Sequence, residues 1–364
     1  SQFEAQSSSI WPLAFPQTTI ANSCRFDGAS SSYLEITPSS SGNRKTFTIS
    51  FWVKKCELAS NPDTMSDAQM LFGGQQSSYP AFQILFLHTN DTIFIKDAQA
   101  SNNIQLSIKT DMKFRDVSAW YHIVLAVDTT QSTASNRAKL YVNGVQQTDL
   151  AGENAGGGAS DDPLYPDQNQ DLQFNGNEAH YINKYASNYE DMYMAEFVFI
   201  DGQQLLPTSF GAFNPVTNIW EPIAYSGTYG TNGFRLDYAD SSALGNDVSG
   251  NDNDFTVNNL TSIDQSTDTC SNNFATMNPS AFENAADSLS EGNLRFDGAS
   301  SGAHNLGIGT IAVDKGKWWF EAELDAEGGT YPQIGIRSVD VNNTLGSYVG
   351  QITGGAGYFQ SGGI

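Results

Sequence analysis

Apolar and polar residues alternate with period two over much of this chain. Phe47, Ile49, Phe51 and Val53 take turns with Thr46, Thr48, Ser50 and Trp52, which predicts a half-buried strand. Ile93 and Ile95 alternate with Thr92, Phe94 and Lys96, and Ala81–Leu87 is a mostly apolar run. Trp120–Val127 is apolar on both faces and predicts a central strand. Ala138–Asn143 leads into Asn143-Gly144, a strong hairpin signal. Met192–Ile200 closes the series, followed by Asp201-Gly202 and a short helical turn near Pro207. Many short strands separated by turn signals predict an all-β chain built as a two-sheet sandwich.

Seven residues recur unchanged, Arg25–Ser31 and Arg295–Ser301, both reading Arg-Phe-Asp-Gly-Ala-Ser-Ser. Each copy precedes an aromatic-rich strand pattern, Thr46–Val53 in one case and Lys317–Leu324 in the other, so the expectation is tandem antiparallel β-sandwiches. The chain divides accordingly. Residues 1–23 read as an extended arm carrying Ile10, Trp11, Leu13 and Phe15 between Pro12 and Pro16, suited to docking on another surface or on its own domain. Residues 24–211 form the first sandwich, with a long Gly/Asp-rich insertion at Gly152–Gln173. Residues 212–292 form a connecting β and loop region with a strand-like Gly233–Tyr238, and residues 293–364 a second, partial sandwich that further chain or a partner would complete.

Charge narrows the partners. Among 364 residues, 17 Lys and Arg face 40 Asp and Glu, a net charge of −23. Phosphate binding needs clustered cations, so nucleic acid is excluded as a partner. Three cysteines, Cys24, Cys56 and Cys270, make no disulfide framework and fit a reducing compartment. The first twenty residues lack the basic region and apolar core of a signal peptide, and no stretch approaches membrane-spanning length.

The strand series Phe26-Asp27-Gly28, Thr46–Val53, Trp120–Val124 and Leu140–Gly144 resembles laminin G-like, concanavalin A-like jelly rolls over Cys24–Gly211. Asp247–Phe255 resembles an Asp-x-Ser-Gly-Asn-x-Asn-Asp segment of the same superfamily. Gly316–Leu324 with Ile334-Gly335-Ile336 resembles the early strands of SPRY domains. The tandem is similar to structural proteins of tailed, especially marine, bacteriophages. That resemblance implies a non-catalytic virion protein, a tail fibre, appendage or surface protein assembled in the host cytoplasm. It would be a homo-oligomer, often a trimer, contacting other virion proteins through the arm and attaching to a host-surface glycan. A secreted carbohydrate-binding or adhesion protein is the alternative reading, and a laminarinase-type glycosidase a third.

Retaining glycosidases hold two carboxyl groups about 5 Å apart. Glu321, Glu323, Asp325 and Glu327 would share one strand face, but Ala326 stands where that family has a large aliphatic residue and Gly328-Gly329 ends the strand at once. With Phe320, Ala322 and Leu324 as a core face, the acids are expected in solvent without catalysis. The histidines His88, His122, His180 and His304 are scattered, and His122 reads as a hydrogen-bonded structural residue of a central strand. Asp237, Asp240, Asn246, Asp247, Asn251, Asp252 and Asp254 supply oxygens for a candidate Ca²⁺ site, although the same residues form Asx turns without metal. Trp52 and Trp319 fall on the polar faces of their strands, which makes them candidate sugar platforms, with Glu321 and Glu323 beside Trp319.

Overall fold

The structure, a computed structural model, describes residues 18–58, 68–76, 79–87, 90–100, 103–156, 158–281, 287–298, 305–324, 333–338 and 355–359. Two antiparallel sheets face one another. The smaller orders its strands Val145–Gln146, Ala138–Val142, Trp120–Asp128, Thr46–Lys55, Met192–Asp201, Ser23–Phe26 and Gln265–Ser266, with Phe234–Leu236 also paired to Met192–Asp201. The larger runs Ala159–Ser160, Leu150–Glu153, Asn103–Thr110, Thr92–Ala100, Tyr79–Leu87, Gln69–Gln76, His180–Ile182, Tyr33–Ile36 and Thr256–Asn258. Among the described residues no helix is long and apolar enough to cross a membrane.

The core sits between the sheets and follows the alternation. Phe47, Ile49, Phe51 and Val53 are all fully buried, opposite Phe72, Phe82, Ile84, Phe86, Ile93 and Ile95. Aromatic rings tie the layers together. Phe47 stacks on Phe199 and Phe51 on Phe197 within the smaller sheet, and Phe72 meets Phe197 across the gap at 5.2 Å. Met192–Asp201 keeps both ends in this core through a bulge between Ala195 and Val198, where Glu196 adopts φ +47°. One extra residue re-phases the strand, so Met192 and Met194 face inward before it and Phe197 and Phe199 after it. Displaced outward, Glu196 pairs with Arg235 at 2.8 and 2.9 Å.

The Asn143-Gly144 hairpin appears where expected, with φ of +46° and +78°. Gly144 is also required sterically, because a Cβ there would lie 2.3 Å from the Trp220 ring. The possible helix near Pro207 is a 3₁₀ turn, Pro207–Ser209.

Residues 212–292, expected as a connecting region, contribute strands to both sheets. Phe234–Leu236 and Gln265–Ser266 add strands to the smaller sheet, Thr256–Asn258 adds one to the larger, and Trp220 seals the smaller sheet's outer face. The smaller sheet is therefore buried on both sides, a pattern its polar alternate residues Thr48 and Ser50 conceal. Lys317–Leu324, expected as a strand, carries none. Phe320 and Leu324 are exposed rather than inward, because a strand needs a hydrogen-bonded neighbour and none pairs with this segment among the described residues. Beyond residue 287 the described strands form two antiparallel pairs, Ser288–Ser290 with Arg295–Asp297 and Gln333–Ile336 with Ala356–Phe359. The arm up to residue 17 lies outside the described residues. From Thr18 the chain is fixed, its N–H donating to the Pro222 carbonyl at 3.1 Å and Ile20 entering the layer around Trp220.

Candidate functional site

The residues singled out from sequence do not come together. Trp52 is 4% exposed, not a surface platform. It stacks on His122 at 4.7 Å, in a layer with Trp120, Tyr193 and Trp220 that the strand alternation could not reveal. Trp319 is 83% exposed, and Glu321 and Glu323 are exposed beside it on a segment without strand geometry, so no shared strand face exists for them. Asp325 and Glu327 lie outside the described residues, as do His88 and His304. His122 is structural in the sense expected. Trp220 Nε1–H can only donate, so His122 Nδ1 accepts it at 3.0 Å and the Nε2 proton goes to Ser50 Oγ at 2.9 Å. Full burial pushes the His122 pKa down to about 3, so the ring is neutral.

The candidate Ca²⁺ residues form a turn network instead of a metal cage. The Asp247 carboxylate accepts the backbone N–H groups of Arg235, Ser249 and Asn253 and the Ser249 hydroxyl, at 2.8–3.0 Å. Asp254 accepts the Asp247 N–H at 2.8 Å. Asp237 accepts the N–H of Ala239, and Asp240 caps Ser242. Asn251 donates to the Gly230 and Gly233 carbonyls. Asn246 bonds through its own backbone N–H to Ala243, and Asp252 turns the chain at φ +58°. These oxygens point at the loop's own donors, and among the described residues no group of three His, Cys, Asp or Glu side chains is placed to hold a metal.

Two features that sequence reasoning did not find lie along Tyr33–Ile36. The strand's inner face carries Leu34 and Ile36 into the core, so Tyr33 and Glu35 point outward from the larger sheet. Tyr181, aligned with Glu35, shares that outward face. The loop after it folds back tightly. Asn183, buried with φ +62°, donates to the Ser32 and Glu190 carbonyls at 3.0 and 2.9 Å and accepts the Glu190 N–H. Tyr185 and Asn188 exchange backbone bonds within the same loop. This brings Tyr189 to 5.6 Å from Tyr33, centroid to centroid, while Tyr181 stands edge-on at 6.3 Å. Lys184 lays its ammonium 4.1 Å from the Tyr33 centroid and 4.5 Å from that of Tyr181. Burial opposes the Lys184 charge, but the Tyr33 phenol and the neighbouring tyrosines outweigh it and raise the pKa. All four side chains are half-buried and reachable from solvent. The result is an aromatic platform with a fixed cation. Its only sequence signals were Tyr33 opposite Leu34 in the pleat and the Tyr-rich loop 181–189, neither distinctive alone.

At the end of the same strand a shallow cleft opens on the sandwich rim, lined by Ile36, Pro38, Asn175, His180, Asn232 and Asn253 among others. Its polar wall is held by Asp201, which accepts from Asn43 N–H, Asn175 Nδ2 and Asn232 N–H at 2.7–3.1 Å. His180 is buried beside Phe82 and donates Nδ1–H to the Glu178 carbonyl; burial, partly offset by that bond, lowers its pKa to about 4.

Residues 27–179 match the family described as the Concanavalin A-like lectin/glucanases superfamily. The first sandwich is a concanavalin A-like jelly roll. The match takes in strands of both sheets, from Tyr33–Ile36 to Ala159–Ser160, and of the tyrosine platform it includes Tyr33 alone. Among curated proteins none matches the chain. Solved structures with a similar arrangement include a heptameric SAP-like pentraxin from Limulus polyphemus (10% identity, 52% of this chain and 79% of that one, TM-score 0.36). A putative carbohydrate binding protein from Bacteroides ovatus aligns at 14% identity over 67% of this chain and 61% of its own, with a TM-score of 0.38. Trypanosoma rangeli sialidase aligns at 14% identity over 45% of this chain but only 22% of its own, with a TM-score of 0.28. These likenesses are too distant to carry functional weight.

Proposed function

We propose that the protein is a non-catalytic carbohydrate-binding module, and that glycans dock on the outward tyrosine platform of the larger sheet. The observation that carries this reading is the cluster of Tyr33, Tyr181 and Tyr189, three solvent-reachable rings held by a buried Asn183 on a jelly roll whose smaller sheet is closed on both faces. Sugar rings present C–H faces that stack on aromatic surfaces, and phenol hydroxyls add hydrogen bonds at the edge. On this side of the molecule Glu153 is ion-paired with Lys96 at 2.7 Å and Glu35 stands beside Tyr181, an arrangement that supports binding rather than the paired carboxylates of glycoside hydrolysis.

The setting we propose is a virion appendage of a tailed phage, in which repeated copies gain avidity for a host surface. The tandem arrangement of the sequence and its −23 charge, which keeps copies soluble, support that setting. Glycan-array binding by the full chain, compared with Tyr181→Ala, tests the docking surface. Retention on the array that falls at least tenfold in the variant while its melting curve is unchanged is the expected result. Equal retention would move binding elsewhere, to the rim cleft in the first instance. Immunogold labelling of phage particles tests the setting, and unlabelled particles would refute it.

A further inference from the structure

The platform carries a charge as well as rings, and the charge has no counter-ion. Three other lysines of this fold are neutralised by carboxylates: Lys54 by Asp268 at 2.8 Å, Lys55 by Asp91 at 2.6 Å and Lys96 by Glu153 at 2.7 Å. Among the described residues Lys184 has no carboxylate at ion-pair distance, and its ammonium is held by the faces of Tyr33 and Tyr181. The Tyr33 phenol oxygen also takes a hydrogen bond from this ammonium, which carries three N–H donors in all. Its position is set by the backbone, since Lys184 follows directly on Asn183, whose side chain fixes the loop to Ser32 and Glu190.

We infer that the platform selects glycans bearing an anionic group, carboxylate or sulfate, and that Lys184 is the specificity-determining residue. This rests on the carbohydrate-binding reading and deepens it. A sugar ring stacked on the exposed part of Tyr181 or Tyr189 places a substituent within reach of the ammonium. A charge-assisted hydrogen bond forms there that a neutral sugar cannot make. The opposing group is Glu35, aligned with Tyr181 on the neighbouring strand. Its carboxylate repels an anion from that side, so the charged substituent is oriented towards the loop carrying Lys184. The net charge of −23 adds a general repulsion of acidic polymers, which makes a placed cation necessary for any acidic ligand.

The test is calorimetric titration of the full chain with two matched pairs. One pair is tetragalacturonate and its methyl-esterified neutral form. The other is a sulfated galactose oligomer and its desulfated parent. Wild type should prefer the charged member of at least one pair by about tenfold or more, the scale of one charge-assisted hydrogen bond; the pair that responds distinguishes carboxylate from sulfate. Lys184→Gln should abolish the preference, bringing affinity for the charged member down to that for the neutral one. Lys184→Arg should retain the preference, and Tyr189→Ala, at a ring that does not hold the ammonium, should weaken both members equally. Melting curves for each variant separate these effects from loss of fold. Equal binding of both members by wild type, or a preference that survives Lys184→Gln, overturns the charge selection and leaves the platform standing. Failure of wild type to bind any of the four removes the platform reading, and this inference with it.

Discussion

Asp97 offers a direct check on how burial acts in this fold. It lies on the inward face of Thr92–Ala100, across from Phe82, and is fully buried between the sheets. Its Oδ2 accepts the backbone N–H groups of Gln173 and Phe174 at 2.7 and 3.1 Å, while Oδ1 has no hydrogen-bond partner. Removal from water raises its pKa from 3.8 to about 7; the two N–H donors and Arg44 pull the other way, and Glu178 adds to the rise. The folded state thus binds a proton more tightly than the unfolded chain does, so this group's contribution is fully present below pH 3.8 and is lost as pH rises through about 7. A shift of roughly three units at about 1.4 kcal/mol each gives a loss on the order of 4 kcal/mol between those limits. Asp97→Asn keeps the shape and removes the titration. Urea unfolding of both proteins, followed by tryptophan fluorescence at pH 5, 6, 7 and 8, isolates the effect in their difference. Wild type should lose stability relative to the variant steadily up to pH 7 and then level off. A difference that stays flat from pH 5 to 8 would refute the argument that this carboxyl is protonated within the fold. The loop it holds leads through Gln173 and Phe174 to Asn175 of the rim cleft, so hydrogen exchange in residues 173–180 should quicken over the same pH range.

Other perturbations follow from packing and charge. Trp52→Ala should destabilise by about 3–5 kcal/mol in urea titrations, because it opens a cavity under His122 and Trp220; a sugar-affinity loss with no stability change would contradict its burial. Lys54→Met should cost about 3–5 kcal/mol by leaving Asp268 buried without its cation, and the added Asp268→Asn change should recover part of that. Lysine at 54 also donates to Asn273 and the Phe274 carbonyl, so proteolysis near residues 268–274 should accelerate in the single variant. Asp247→Ala should lower the melting temperature by removing four accepted hydrogen bonds, equally in millimolar Ca²⁺ and in chelator; a loss seen only with Ca²⁺ present would restore a metal role.

Much of the first sandwich was legible because period-two alternation is a local property. Phe47, Ile49 and Phe51 share one interior as their spacing requires, and Asn143-Gly144 turns where its φ preferences direct. The reading failed where a second contact decides the outcome. Trp52 sits on the polar side of its strand, yet Trp220, far along the chain, returns to cover it. The acidic loop around Asp247 has the composition of a cation site, but its oxygens are engaged by nearby backbone donors. The tyrosine platform was missed because Tyr33 and Tyr189 are widely separated in the chain and meet only through the loop that Asn183 folds.

The repeated heptapeptide makes the division plain. In both copies the sequence by itself determined a short strand around Arg-Phe and set which side chains alternate along it. In the first copy Ser23–Phe26 is buried between Met192–Met194 and Gln265–Ser266, whereas in the second Arg295–Asp297 pairs with Ser288–Ser290 in a two-stranded hairpin. Backbone geometry and turn preference are fixed within a few residues, but burial and ligand-ready surface depend on which distant segment supplies the neighbour, and that is settled only when the sheets come together.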